Sequence, residues 1–143
     1  LKLCPKGKVQ GIDYSAVSVE KARKVNARAI AAGQCTVQQA SVAELPFEAE
    51  QFDVVTAFET VYFWPELAQN FREVYRVLKP GGTFFICNEA NGETAKDDKW
   101  TRIINGMTIY TDADLKVYLE QAGFVRVQSH KNRKGWLCVT ARK

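Results

Sequence analysis

The chain has 143 residues, of which 46% are hydrophobic and 25% are charged, so it suits one globular domain with a sizeable core. The net charge of +4 is too small to favour nucleic-acid binding without a clustered basic face, and the sequence has no apolar run of membrane-spanning length. We therefore expect a cytoplasmic protein whose partners include neither nucleic acid nor a membrane.

The first third of the chain alternates strand and helix patterns. Residues 8–13 predict a short strand, and residues 14–33 predict a helix that is capped by serines and closed by a glycine. Its inward positions follow helical spacing and are Val19, Ala22, Val25, Ala29 and Ile30. Residues 36–39 predict a second strand. Residues 52–58 are almost entirely apolar, which predicts a central strand covered on both faces.

A Pro-Gly-Gly corner marks the middle of the chain. Pro65 predicts a helix start in its preferred first-turn position. The buried stripe of that helix is predicted to be Leu67, Phe71, Val74, Tyr75 and Leu78. The helix pattern ends at the Leu-Lys-Pro-Gly-Gly segment, residues 78–82, and an apolar strand pattern follows at residues 83–87.

The last third begins with a polar stretch, residues 88–107, in which residues 100–104 predict a short helix. Thr111 opens a capping box, and the helix that follows ends at Gly123. Its inward residues are predicted to be Leu115, Tyr118, Leu119 and Ala122. Residues 124–128 and 136–140 predict two strands, antiparallel across the basic turn 130–134.

The element order is therefore β-α-β-β-α-β-α-β-β. Strands that alternate with helices predict an α/β fold with a doubly wound, mostly parallel sheet. Ligands bind such sheets at the carboxyl ends of the strands. That rule selects four short segments: Asp13-Tyr14, residues 40–42, residues 58–64 and Asn88-Glu89.

Three of the selected residues have chemistry that suits a nucleotide-type ligand. Asp13 offers two acceptor oxygens to the paired hydroxyls of a ribose, although an acid at a helix start also complements the helix dipole. Tyr14 could lie against a purine or be an ordinary core or surface tyrosine. Ser41, with the backbone N–H of Val42, could contact a base edge or simply form a loop exit.

The segment after the third strand is unusually aromatic. Tyr62, Phe63 and Trp64 are consecutive, and they could wall a substrate pocket or pack as core beneath the next helix. Glu59 could orient a cofactor amine, and it is a weak candidate for a catalytic base; the catalytic residue is otherwise unknown. The residue pattern suggests neither covalent catalysis nor a metal site.

The four cysteines do not form a C-x-x-C pair and do not lie at metal-binding spacing with His130, the single histidine. Cys87 and Cys138 lie in apolar strand patterns, where a free cysteine behaves as a small hydrophobe. We expect reduced core thiols rather than a disulfide, with Cys4 the most exposed.

Several ordered segments resemble one protein family. They are GIDYS at 11–15, LPF at 45–47 followed by FDVV at 52–55, RVLKPGG at 76–82, and QAGF at 121–124. In this order and spacing the chain, from about Lys8 onward, resembles the class I S-adenosylmethionine-dependent methyltransferases. It is similar in particular to the small-molecule branch that includes the ubiquinone and menaquinone biosynthesis enzymes.

The resemblance implies a Rossmann-like, seven-stranded sheet whose last strand is antiparallel, with S-adenosylmethionine as the cofactor. It implies that Asp13 binds the cofactor ribose and that Tyr14 flanks the adenine. Ser41 and Val42 would lie at the adenine edge. The methionine end of the cofactor would lie near Phe58 and Glu59. Tyr62 and Trp64 are then candidates for the wall of the acceptor pocket.

The chain departs from the family pattern in three ways. The glycine-rich loop, first strand and first helix of the family would precede Lys8, so we expect residues 1–143 to be a single methyltransferase-like domain that is truncated at its N-terminus. Strand exchange in a homodimer is one way to fill the resulting slot in the sheet. Ser41 stands where an acidic residue is common, and Tyr62-Phe63 stands where histidines are frequent.

The function expected from these features is S-adenosylmethionine-dependent methyl transfer to a small-molecule acceptor, impaired in the truncated chain. A non-catalytic binding or scaffold module of the same fold is one alternative, and a nicotinamide-dependent Rossmann enzyme is another. The basic turn with Trp136 could contact nucleic acid, but a solvated charged turn is the simpler interpretation.

Overall fold

The computed structural model describes residues 4–93 and 97–143, apart from the side chain of Asp98. The chain divides into two compact units, residues 1–46 and residues 47–143. Within the described stretches, no helix combines the length and apolar character that a membrane crossing requires. The assignment of residues 1–143 to a single domain stays a prediction.

Within residues 4–46, the first unit contains two parallel strands and two short helices. In chain order they are β1 (Val9–Asp13), α1 (Ala16–Val25), α2 (Ala27–Ala31) and β2 (Cys35–Gln39). The two strands pair in register from Val9 opposite Cys35 to Asp13 opposite Gln39. Their parallel direction brings both carboxyl ends to the same edge of the sheet.

The helix predicted over residues 14–33 is interrupted at Asn26. The Asn26 side-chain amide donates to the carbonyl of Ala22 at 2.9 Å, and such local bonding competes with helix continuation. Val25, predicted to point inward, is 77% exposed. The prediction of one continuous helix with Val25 in its buried stripe was therefore wrong, whereas Val19 is buried as expected.

The second unit contains a four-stranded sheet and its covering helices. The elements are β3 (Phe52–Phe58), a 3₁₀ turn (Val61–Phe63), α3 (Leu67–Val77), β4 (Leu78–Asn88), α4 (Asp97–Ile103), α5 (Asp112–Gln121), β5 (Val125–Lys131) and β6 (Leu137–Arg142). The strand order is β3-β4-β6-β5. Strands β3 and β4 are parallel, and β6 is antiparallel to both of its neighbours. The predicted α/β fold with an antiparallel last strand is confirmed.

Strand β3 is an edge strand of its sheet, which corrects the prediction of a central strand covered on both faces. Among the described residues β3 pairs with β4 alone, and β1 likewise pairs with β2 alone. Val54 and Phe58 of β3 are 56% and 55% exposed. The apolar run predicted the strand and its bounds correctly, but the environment of a strand depends on what pairs with it.

The Pro-Gly-Gly corner is tighter than the sequence pattern indicates. Strand β4 begins at Leu78, immediately after α3, instead of at the predicted residue 83. The pairing with β3 jumps from Leu78 opposite Phe52 to Thr83 opposite Val54, which makes a bulge. A Cβ atom on Gly82 would lie 2.8 Å from the Lys79 carbonyl oxygen, so a larger residue there would force the backbone to move.

The end of the chain closes this corner. The Gly81 N–H donates to the Lys143 carbonyl at 3.0 Å, and the Lys143 N–H donates to the Gly82 carbonyl at 3.1 Å. Gly81 has a φ of 75°, a left-handed conformation that glycine adopts without steric cost. The corner is therefore held by residues about sixty positions further along the chain.

The core of the second unit lies between the sheet and helices α3 and α5. Phe84 of β4 contacts the rings of Trp64, Phe71 and Phe124, with centroid separations from 5.6 to 6.2 Å. Leu115 and Leu119 of α5 are fully buried, as predicted. These aromatic and aliphatic contacts hold the sheet rigid beneath the residues that follow its strands.

Of the two helix starts predicted in this unit, one agrees with the structure and the other does not. The capping box at Thr111 is confirmed, because its hydroxyl accepts from the Asp114 N–H while the Asp114 carboxylate accepts from the Thr111 N–H. Pro65, predicted in the first helical turn, instead lies one residue before the N-cap, Glu66. Glu66 has a φ of 45°, so the chain turns sharply before α3 begins at Leu67.

Candidate functional site

The carboxyl ends of the parallel strands form one candidate half-site in each unit. We call residues 13–15 and 40–42 the β1–β2 exit, and residues 58–63 and 88–91 the β3–β4 exit. The predicted residues fall into these two groups because parallel neighbours end at the same edge of a sheet.

The β1–β2 exit presents a carboxylate with spare hydrogen-bonding capacity. Asp13 Oδ1 accepts from the Ser15 N–H at 2.8 Å, and within the described part of the chain Oδ2 has no hydrogen-bond partner. The Asp13 carbonyl accepts from the Ala40 N–H at 3.1 Å, which ties the two strand ends together. The carboxylate is thus oriented by the helix start and still has room for a donor from a ligand.

Tyr14 and Ser41 flank this carboxylate along the chain. The Tyr14 side chain is 73% exposed, while its carbonyl accepts from the Gln39 side-chain amide at 2.9 Å. Ser41 Oγ accepts from the Ala43 N–H at 3.1 Å and keeps its own proton to donate. Val42 is half-buried. The exit therefore combines an exposed aromatic face with two polar groups.

In the β3–β4 exit, hydrogen bonds join residues that follow β3 to residues at the end of β4. The Glu59 N–H donates to the Cys87 carbonyl at 3.0 Å, and the Glu59 carboxylate accepts from the Glu89 N–H at 2.5 Å. Glu59 has a φ of 55°, an uncommon conformation for a residue other than glycine, and it places the side chain toward the neighbouring strand end. One carboxylate thereby joins the ends of β3 and β4.

Tyr62 makes the second link across this exit. Its hydroxyl accepts from the Ala90 N–H at 2.9 Å and donates to the Ala90 carbonyl at 3.1 Å. The side chain is 3% exposed, so both bonds are shielded from water. Burial, with the neighbouring charge of Glu59 second, raises the pKa of the Tyr62 phenol well above its ordinary value.

The Glu59 carboxylate has an altered titration. Partial loss of its water shell raises the pKa of Glu59 above its ordinary value, and the hydrogen bond from the Glu89 N–H acts in the opposite direction. A carboxyl group with a raised pKa at a strand end is typical of sites that handle charge or protons.

The three consecutive aromatic residues divide between core and surface. Trp64 packs against Phe71 and Phe84, so it belongs to the core beneath α3. Phe63 is 39% exposed, and Phe58, 55% exposed, contacts Phe85 edge-on with centroids 5.6 Å apart. The rings that are accessible at this exit are therefore Phe58 and Phe63.

The sequence did not identify Asp97, and it selected Asn88 only as a residue at a strand end. Asp97, 9% exposed, accepts from the N–H groups of Asn91 and Gly92 at 3.2 and 2.9 Å and so holds the loop after β4. Asn88 is fully buried, and its side-chain amide has no hydrogen-bond partner among the described residues. The sequence placed Asn88 at a strand end but carried no sign that it would be shut away from solvent.

The described residues contain no cluster of three or more His, Cys, Asp or Glu side chains that could hold a metal ion. Parallel strands alternating with helices define a Rossmann-like α/β protein, a class that binds ligands at the carboxyl ends of its parallel strands.

The family follows from comparison with known sequences. The Methyltransferase domain family matches residues 1–86, which is more than half of the chain. The chain belongs to this family, within the class I S-adenosylmethionine-dependent methyltransferases. The family assignment made from the ordered motifs is confirmed, and it excludes the nicotinamide-dependent alternative as the family of this chain.

Two curated relatives match part of the chain. The demethylmenaquinone methyltransferase of Symbiobacterium thermophilum is 37% identical over 90 residues, which cover 63% of this chain and 36% of the relative. The 24-methylenesterol C-methyltransferase 2 of Arabidopsis thaliana is 31% identical over 101 residues, covering 69% of this chain and 28% of the relative. The chain thus spans about a third of the length of these relatives.

Solved structures share the fold at low identity. The chain solved in complex with the Haloferax volcanii methyltransferase activator Trm112 has a TM-score of 0.86 at 20% identity, covering 99% of this chain and 75% of that one. A SAM-dependent methyltransferase from Aquifex aeolicus has a TM-score of 0.79 at 22% identity, covering 96% and 70%. The [4+2]-cyclase SpnF has a TM-score of 0.78 at 20% identity, covering 99% and 68%.

The residues of the β1–β2 exit fit the cofactor of this family. A ribose diol needs acceptors, and Asp13 has an oxygen without a partner among the described residues plus a second lone pair on Oδ1. An adenine ring needs a flat apolar contact, and the exposed ring of Tyr14 offers one.

Proposed function

We propose that this chain carries the S-adenosylmethionine site of a methyltransferase that acts on a small-molecule acceptor, in one domain spanning residues 1–143. The observation that carries the proposal is the family match over residues 1–86, since it contains the whole β1–β2 exit and the end of β3. The oriented carboxylate of Asp13 beside the exposed Tyr14 ring supports the same assignment.

We propose that the β1–β2 exit binds the nucleoside part of the cofactor. Asp13 accepts both ribose hydroxyls, because an ionised carboxylate can accept two donors side by side. Tyr14 covers one face of the adenine. Ser41 donates its hydroxyl proton to the adenine edge, and Val42 lines the same edge. A serine hydroxyl is a weaker acceptor than the carboxylate common in the family, so its role is to donate.

We propose that the end of β3 serves the methionine part. When bound, S-adenosylmethionine supplies an electrophilic methyl group on a sulfonium ion. Phe58 presents an exposed ring that can stabilise a nearby cation, and Glu59 offers its second carboxylate oxygen to an ammonium group. As a base Glu59 remains a weak candidate, because one of its oxygens is already used to hold the Glu89 N–H.

The acceptor side is proposed to lie along residues 58–64. Tyr62 and Trp64 are proposed to support the pocket wall from beneath, with Tyr62 fixing the Ala90 backbone and Trp64 packed against Phe71 and Phe84. Phe63 adds an accessible ring. The names of the two curated relatives describe methyltransferases of a quinone precursor and of a sterol, which supports an apolar small molecule as the acceptor. Positioning and exclusion of water would supply most of the rate enhancement.

The proposal is tested first by cofactor binding. The protein to use is the full-length protein, meaning these 143 residues with any flanking residues that the gene encodes. Asp13→Asn should lower the affinity for S-adenosylmethionine, measured by calorimetry, by about tenfold or more, because hydrogen bonds to a charged group contribute about 1.5–3 kcal/mol.

Asp53→Asn is the matched control. Asp53 is also a strand carboxylate, but it lies at the start of β3 and pairs with Lys79 at 2.9 Å. Its replacement should leave the affinity unchanged. Equal affinity of the wild-type protein and Asp13→Asn would remove Asp13 from the site and count against the proposed cofactor orientation.

A second candidate is a binding or scaffold module that retains the cofactor site without transferring methyl groups. It is favoured by the β3–β4 exit, in which Glu59 and Tyr62 are already bonded to the backbone. SpnF, a cyclase by name, has the same fold, so the fold alone does not establish the chemistry. Transfer of a labelled methyl group to any compound of a quinone and sterol panel would exclude this candidate.

We also propose a homodimer formed by strand exchange. Its support is that β1 and β3 each pair along one edge only within the described residues, and unpaired edges recruit further strands. Light scattering on the full-length protein tests it, and a monomer at all accessible concentrations would contradict it.

A further inference from the structure

We propose that Cys87 and Cys138 are an oxidation site, at which peroxide converts the two thiols into an intramolecular disulfide between β4 and β6. The two residues lie directly opposite each other in the antiparallel register of these strands. Their Sγ atoms are 3.6 Å apart, with Cys138 donating toward Cys87. Both side chains are buried and both are free thiols.

The strand register places the two backbones within the span of a disulfide. Residues opposite each other in an antiparallel pair have Cα atoms roughly 4.5–5.5 Å apart. That separation lies within the range of about 4.4–6.8 Å that disulfides span. Small side-chain rotations are then enough to close the gap between the sulfur atoms. The surrounding sheet pairs continue on both sides, from Thr83 opposite Arg142 to Asn88 opposite Leu137.

Contact between the two sulfurs, and not a low pKa, favours their reaction with each other. Burial, and second the contact with Cys138, raises the pKa of the Cys87 thiol to about 11. A protonated thiol is a poor nucleophile, so the feature that favours the disulfide is the 3.6 Å contact between the two sulfur atoms. Once either thiol is oxidised, this contact holds the other next to it as the resolving thiol.

The reaction balances with one hydrogen peroxide. The sulfur of one cysteine of the pair attacks a peroxide oxygen, so an S–O bond forms, the O–O bond breaks and one water leaves. The sulfur of the other cysteine then attacks the oxidised sulfur, so the S–S bond forms, the S–O bond breaks and the released hydroxyl leaves as water with the proton of the second thiol. Two thiols are oxidised by two electrons, and the peroxide is reduced to two waters.

The other two cysteines provide internal controls. Cys4 is exposed and Cys35 is buried, and within the described residues neither has a second sulfur as a hydrogen-bond partner. If exposure alone governed oxidation, Cys4 would react and the pair would not. If burial alone protected a thiol, Cys35 and the pair would behave alike. The proposal predicts instead that Cys87 and Cys138 are oxidised although they are buried, whereas the buried Cys35 is not.

The test is peroxide treatment of the reduced full-length protein, followed by alkylation of the remaining thiols under denaturing conditions and peptide mapping by mass spectrometry. We expect a linked peptide containing Cys87 and Cys138, two hydrogens lighter than the sum of its parts, with Cys35 still alkylated. In the Cys138→Ser variant we expect no linked peptide. Cys87 should remain a free thiol after the same peroxide dose and should therefore be alkylated.

Thermal unfolding tests the disulfide in the wild-type protein, so the result does not depend on whether the Cys138→Ser variant folds. The oxidised wild-type protein should melt at a higher temperature than the reduced protein, and dithiothreitol should abolish the difference. Cys4→Ser should show the same shift. Separate sulfinic acids on Cys87 and Cys138, or two thiols that remain alkylated while Cys4 is oxidised, would overturn the proposal.

Discussion

The two units differ in how much of their polar and aromatic surface is used internally. Among the described residues of the first unit, the buried hydrophobic side chains are Val19, Cys35 and Leu45, and the β1–β2 exit leaves Tyr14 exposed and one Asp13 oxygen without a partner. In the second unit an aromatic core lies beneath the sheet, and the β3–β4 exit bonds Tyr62 and Glu59 to the backbone. Ligand binding is expected to stabilise the first unit most, because few of its described side chains are buried and that Asp13 oxygen is not hydrogen-bonded to them.

The largest expected contrast is between two aromatic truncations. Phe71→Ala should lower the free energy of unfolding by about 3–5 kcal/mol, because Phe71 is fully buried against Trp64 and Phe84. Tyr14→Ala should change it by no more than about 0.5 kcal/mol, since its ring is exposed. Urea unfolding measures both, and similar losses would contradict the division into a packed and an open region.

The next contrast removes one hydroxyl from each exit. Tyr62→Phe should destabilise the protein by about 1–3 kcal/mol, because it leaves the N–H and carbonyl of Ala90 without the partner they have in a buried setting. Tyr14→Phe removes an exposed hydroxyl and should have no measurable effect on unfolding. A neutral Tyr62→Phe would mean that water or another group replaces the hydroxyl.

The smallest expected effect is a pH dependence at Glu59. Its pKa is raised in the folded protein, so the folded state holds the proton more tightly than the unfolded state. The stability due to this group is present below the unfolded pKa and is lost as the pH rises through the folded pKa. The unfolding free energy of wild type minus that of Glu59→Gln should therefore fall with rising pH.

Asp114→Asn provides a control of opposite sign. Hydrogen bonds from the side chain and backbone of Thr111 lower the pKa of Asp114. The stability due to this carboxylate is therefore present above the unfolded pKa and is lost as the pH falls through the folded pKa. Unfolding series between about pH 3 and pH 7 would show the two opposite slopes, and equal slopes would rule out the assigned cause at Glu59.

Local signals in the sequence predicted most elements of the fold. The Thr111 capping box and the strand at residues 52–58 are found where the patterns placed them, because caps and apolar runs act within a few residues. The break at Asn26 and the edge position of β3 were not predicted. Both depend on interactions that compete with, or lie beyond, the local pattern.

The candidate site was predictable as a list of strand ends but not as a geometry. The alternation of strands and helices selected Asp13, Glu59 and the residues near them. It could not show that Glu59 adopts a left-handed φ and accepts from Glu89, or that Tyr62 is bonded to Ala90, about thirty residues away. Those contacts depend on how β3 and β4 are aligned, which the corner at residues 78–82 determines through its bulge.

The strand order of the second unit has a consequence for folding during synthesis. Strand β6 lies between β4 and β5, so the four-stranded sheet stays divided until residues 137–142 have left the ribosome. The corner between α3 and β4 also cannot form all of its hydrogen bonds until Lys143 has been synthesised, because the Lys143 backbone bonds to Gly81 and Gly82. A ribosome stalled before residue 137 would therefore hold β4 and β5 without the strand that joins them, and pulse proteolysis of such stalled chains should find this unit still open.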